Sequence, residues 1–86
     1  MGKRLIIGNY IEYVQGISHI DPETGRLRVK TYGNKNIKDG LMIECSKKIR
    51  ENYPIGTLFT TENVKVCKKP NGRIYVRAKD QIIFPL

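Results

Sequence analysis

The chain has no tryptophan, one histidine and two cysteines, and its 8 acidic residues stand against 16 basic ones. Each shortage excludes something. Acid–base or nucleophilic catalysis needs several complementary groups brought together. His19, with Ser18 before it and Asp21 after it, does not meet that need, because neighbours in a strand point to opposite faces. The expectation is a protein with no catalytic residues, in which His19 is a surface side chain beside a turn. Should the Asp21–Arg26 loop close with four residues, His19 faces Arg28 and joins the basic surface. Cys45 and Cys67 are too few and too far apart for a metal knuckle or a Cys-x-x-Cys redox pair, so no metal and no cofactor is expected. Glycine spacing matches neither a phosphate-cradling loop nor a dinucleotide fingerprint.

Long apolar runs are missing too. The longest, Leu5-Ile6-Ile7, is far short of a membrane span. Lys3 and Arg4 in front of it resemble the charged start of a signal peptide, but Gly8-Asn9 ends the run too soon. Met1-Gly2 opens like a myristoylation site, yet Ile6 stands where Ser or Thr is needed. There is no Asn-x-Ser/Thr sequon, and two thiols suit a reducing compartment. The chain therefore reads as soluble, cytoplasmic and without a membrane partner.

What is present fits one small domain spanning residues 1–86. A chain of this length buries only about 60–65% of its unfolded surface, which leaves little apolar material for a deep substrate cavity. Short β-branched and aromatic segments alternate with turn residues, the pattern of strands. Leu5 to Val14 reads as a first strand, with Gly8 and Gly16 as bulges or bends. Ile17 to Ile20 leads into Asp21-Pro22-Glu23-Thr24-Gly25, a turn sequence. Leu27 to Tyr32, Leu41 to Cys45 and Thr57 to Thr61 follow as strands. Ser46 offers an N-cap to a short helix over Lys47–Tyr53, which Pro54 stops, and Ile49 and Tyr53 share one of its faces. Ile82, Ile83 and Phe84 in the tail are expected to plug the core. Five or six short strands with one helix imply a mainly β fold, a small antiparallel barrel or strongly bent sheet of SH3-like or OB-like architecture.

Val64 to Lys69 and Arg73 to Ala78 form the last hairpin. Lys69-Pro70-Asn71-Gly72 fits a three-residue loop, a type I turn closed by a left-handed glycine. That register puts Lys65 opposite Arg77, Cys67 opposite Tyr75 and Lys69 opposite Arg73. Val64, Val66, Ile74, Val76 and Ala78 then make one apolar face. A two-residue Asn71-Gly72 turn would pair Val66 with Arg77, and registers that mix faces are disfavoured.

The result is a ladder of like charges, which is locally destabilising unless the side chains splay into water or a ligand supplies counter-charge. Leu27 to Tyr32 repeats the pattern, with Arg28, Lys30 and Tyr32 on one face. Residues 26–38 and 65–79 together hold 11 of the 16 basic residues and none of the 8 acidic ones. The remainder of the chain nets −3. If the two strands share a face, Tyr32 and Tyr75 lie among Arg28, Lys30, Lys65, Lys69, Arg73 and Arg77. Basic groups that track a backbone beside rings that stack on bases suit single-stranded nucleic acid, RNA or DNA. The alternative is an interaction or inhibitor module that docks an acidic protein.

Overall fold

Pro70-Asn71-Gly72 makes the turn that sets the register of the basic surface. In the computed structural model, which describes residues 5–86, Gly72 donates its N–H to the Lys69 carbonyl at 2.8 Å and takes a φ of +89°. Glycine adopts that left-handed conformation without a Cβ clash, as the three-residue loop requires. The flanking strands β6 (Asn63–Lys68) and β7 (Ile74–Ala78) pair Lys65 with Arg77, Val66 with Val76 and Cys67 with Tyr75, as expected. Val64, Val66, Val76 and Ala78 are buried. Ile74 is only half-buried, because it stands at the turn end of the hairpin, where the sheet covers it on one side.

The remaining strands are β1 (Tyr10–Glu12), β2 (Gln15–Ile20), β3 (Leu27–Thr31), β4 (Met42–Glu44), β5 (Leu58–Thr60) and β8 (Phe84–Pro85). All eight form one curled sheet in the order β1-β6-β7-β4-β3-β2-β5-β8. The expected mainly β, bent-sheet architecture is the one found, with three corrections. Among the described residues there are eight strands and not five or six, partly because the tail adds the two-residue β8. The sheet is not wholly antiparallel, since β4 runs parallel to β7. The chain passes through α1 (Lys47–Glu51), β5 and β6 between them, the long crossover that a parallel pair needs. Finally, Leu5 to Val14 is not one strand. Gly8 (φ +91°) and Asn9 both bond to Val66, a glycine bulge that confines regular pairing to Tyr10–Glu12. Tyr13 at φ +55° then breaks the chain before β2. Met1, Gly2, Lys3 and Arg4 lie outside the described residues.

Gly16 is not a bend. It sits inside β2, paired with Thr31 and Phe59, and faces the core. A Cβ there would stand 2.8 Å from the Lys30 carbonyl oxygen and 2.6 Å from Ile43 Cδ1. Only a residue without a side chain lets the neighbouring strands approach this closely, and that allows the sheet to curl. Gly16→Ala is therefore expected to destabilise the fold by about 1–3 kcal/mol, the range for overpacking. A thermal melt checks it, and an unchanged midpoint would mean that the sheet relaxes freely around β2.

The helix is capped by Ser46, whose hydroxyl accepts the Ile49 N–H, and ends at Glu51, short of Tyr53. Ile49 packs against the core, whereas Tyr53 meets the Phe59 ring edge-on at 5.5 Å between centroids. The tail expectation also needs correction. Ile83 is 3% exposed, but Ile82 and Phe84 are each 42% exposed. The reason is strand alternation: beside β5, the tail can turn only every second side chain inward. Among the described residues no helix is long and apolar enough to cross a membrane.

Candidate functional site

Four neighbouring strands, β6, β7, β4 and β3, carry most of the candidate residues. Their registers read straight across the outer face. One outward row runs His19, Arg28, Glu44, Arg77, Lys65 and Tyr10. The row beside it runs Ile17, Lys30, Met42, Tyr75 and Cys67. The two basic strands thus share one face, separated by β4 alone. Two strand spacings put them about 10 Å apart.

The intervening strand brings Met42 and Glu44 into the site. Glu44 Oε2 lies 3.4 Å from Arg77 Nε, the one ion pair among the described residues. This carboxylate holds the Arg77 guanidinium above its ordinary pKa, with Tyr75 as a lesser contributor. The like-charge ladder of Lys65 and Arg77 is therefore opposed within the protein on one side. Both partners are well exposed, so the pair adds little to stability. It is also the only outward carboxylate on these four strands. No local signal in the chain announces Glu44, because its neighbour Arg77 comes 33 residues later.

The tyrosines differ in availability. Tyr32 is 45% exposed at the end of β3, where its carbonyl accepts the Gln15 amide. Tyr75 is half-buried, with Lys69 Nζ 5.4 Å from its ring centroid, a cation–π contact. Tyr10 is 67% exposed and was not among the expected site residues. Pairing of β1 with β6 sets it beside Lys65, and a hollow there is lined by Tyr10, Lys65, Arg77, Lys79 and the acidic Asp80 among others. An aromatic residue in a strand just after a glycine bulge was the only hint of it in the sequence.

Two depressions meet over β4. The larger, about 460 Å³, is lined by His19, Arg28, Lys30, Lys38, Met42 and Arg73 among others. The second is lined by Arg28, Met42, Glu44, Lys47, Arg50 and Lys69 among others. Arg28 and Met42 border both, so the two form a trough whose floor is β4. The loop after β2 closes with four residues: Asp21 N–H donates to the Arg26 carbonyl, and His19 pairs with Arg28. His19 accordingly joins the basic surface. Asp21 sits on the rim, its carboxyl held below the usual range by the Glu23 backbone N–H, with His19 and Arg28 also contributing.

Arg73 is anchored at the hairpin turn, where its backbone N–H donates to Asn71 Oδ1 at 2.9 Å. Lys38 lies on the segment that Thr31 ties down, through a hydroxyl donated to the Lys38 carbonyl at 2.7 Å. Arg50 borders the trough, but its guanidinium is engaged. It donates to the Leu27 and Cys45 carbonyls and braces the ends of β3 and β4. Cys45 and Cys67 are free thiols on opposite faces of the sheet. Burial pushes the Cys45 thiol up, which makes it unreactive. Compared with known protein families, characterised proteins and solved structures, the chain finds no match.

Proposed function

We propose that this protein is a non-catalytic binding module for single-stranded nucleic acid, RNA or DNA, which lies across the outer face of the sheet. The observation that carries this reading is the continuity of that face. Arg28, Lys30, Lys65, Lys69, Arg73 and Arg77 border one surface on which Glu44 is the only carboxylate of β3, β4, β6 and β7. Phosphates release counterions as they meet such groups, and this supplies affinity without sequence preference. Tyr10 and Tyr32 are exposed enough to take a base on the ring, while Tyr75 is held by Lys69. Among the described residues the one α-helix has five residues and offers nothing to enter a duplex groove, so unpaired strands are favoured over double-stranded DNA.

Fluorescence anisotropy with single-stranded RNA, single-stranded DNA, duplex DNA and heparin tests the reading. Single strands are expected to bind more tightly than the duplex. Tyr10→Ala and Tyr32→Ala should each cost about 1–3 kcal/mol of single-strand binding and leave heparin binding unchanged, because stacking needs bases. Equal binding of heparin and single strands, untouched by both tyrosine variants, would favour the second reading. In that reading an acidic protein docks on the charged face, aided by β1, which is an edge strand among the described residues.

A further inference from the structure

We infer that the cleft between β3 and the start of β7 is a phosphate-monoester site, which takes the terminal phosphate of a strand or of a free nucleotide. This rests on the reading of the outer face as a phosphate-binding surface, and goes beyond it by naming one position and one chemical group. Four basic side chains reach the cleft from three separate parts of the chain: Arg28 and Lys30 from β3, Lys38 from the loop after it, and Arg73 from the hairpin turn. No described carboxylate is within ion-pair distance of any of them, although Asp21 on the rim feels Arg28 through space. Arg28 adds an independent sign. Its Nε is fully buried and has no hydrogen-bond partner among the described residues. A buried donor left unsatisfied is costly, and because this one is closed to solvent as it stands, an oxyanion in the cleft satisfies it once the guanidinium turns toward the opening.

The rest of the cleft limits what that oxyanion carries. About 460 Å³ is more than one phosphate fills and falls within the range of small-ligand sites. Met42 and the half-buried Ile74 offer an apolar patch for a base or sugar edge. Asp21 and Glu23 stand on the rim, where they can accept hydroxyl or amino protons but repel further phosphates. A monoester, with close to two negative charges near neutral pH, matches four cations better than the single charge of a diester. The carboxylate rim disfavours a chain that continues through the cleft, so the bound phosphate belongs to an end.

The experiment compares oligonucleotides of one sequence carrying a 5′-phosphate, a 3′-phosphate or neither, together with an unphosphorylated strand one nucleotide longer. Inorganic phosphate and adenosine monophosphate, with adenosine as control, are titrated separately while the amide and arginine side-chain signals are followed by NMR. One terminal phosphate is expected to tighten binding about tenfold, as an added charge-assisted contact implies, whereas the extra nucleotide changes it far less. Arg28→Gln should erase the difference. Arg73→Gln, at an exposed turn position, should reduce it even if Arg28→Gln impairs folding, and Lys48→Gln on the helix should not. Equal binding of all strands, with no shift of the Arg28 or His19 signals by phosphate or adenosine monophosphate, overturns the site while the nucleic-acid reading stands. Shifts at Arg28 and His19 by adenosine monophosphate but not adenosine, without strand binding, support the site and overturn that reading.

Discussion

Thr31→Val is expected to destabilise the protein by about 1–3 kcal/mol, because the buried Leu41 N–H loses its acceptor, whereas the carbonyl of the exposed Lys38 can turn to water. Thr31 is fully buried, and its hydroxyl works in both directions. It donates to the Lys38 carbonyl at 2.7 Å and accepts the Leu41 N–H at 2.9 Å. The backbone adds a third and fourth tie, Thr31 N–H to the Leu41 carbonyl and Gly40 N–H to the Thr31 carbonyl. Valine has nearly the shape of threonine, so packing is retained and only the hydrogen bonds are lost. Denaturant unfolding would measure the loss. The variant should also loosen the segment that carries Lys38 and Gly40 into the cleft, so that protection from hydrogen exchange falls first at Leu41. A stability within error of the parent would show that the hydroxyl's partners are satisfied in some other way.

Replacing Lys65 and Arg77 together by Gln is expected to weaken single-strand binding about 10–30-fold at 0.1 M salt, the loss that two missing counterion-releasing contacts imply. The log–log salt slope should flatten by roughly 1.4. Folding should be untouched, because both side chains are exposed and face one another across the β6–β7 ladder. Glu44 turns this into a test of sign. If the outer face binds phosphate as proposed, Glu44 competes with it for Arg77 in the parent, so Glu44→Gln should tighten binding severalfold by freeing the guanidinium. If charge loss weakens binding and Glu44→Gln leaves it unchanged, Arg77 does not meet phosphate and Lys65 carries the effect alone.

The hairpin was legible in the sequence down to its register, because turn chemistry and the need for one apolar face act within fifteen residues. The same holds for β3, whose alternation of Leu27, Val29 and Thr31 against Arg28, Lys30 and Tyr32 is local. What could not be read was which strands lie side by side. Glu44 pairs with Arg77 through a parallel contact reached by a long crossover, and nothing near Glu44 marks it as a neighbour of the basic ladder. The tail misled for a related reason. Three successive apolar residues suggest a plug, but once Phe84 and Pro85 join β5, alternation leaves Ile83 alone buried. Gly16 shows a third limit. A glycine in a strand signals a bulge as readily as a close approach, and only the positions of Ile43 and Lys30 decide between them. Tyr10 was overlooked because its value depends on β1 lying against β6, which the glycine bulge at Gly8 arranges.

The most direct test of the outer face as a nucleic-acid site is the salt dependence of the parent protein's affinity for an unstructured oligonucleotide. Each phosphate neutralised on a single strand contributes about −0.7 to the slope of log affinity against log salt, so four contacts from the two basic strands give about −3. A slope near that value, flattened in the Lys65 and Arg77 double variant, is the expected result. Binding that is absent at low salt, or whose slope is the same in the double variant, would contradict the account.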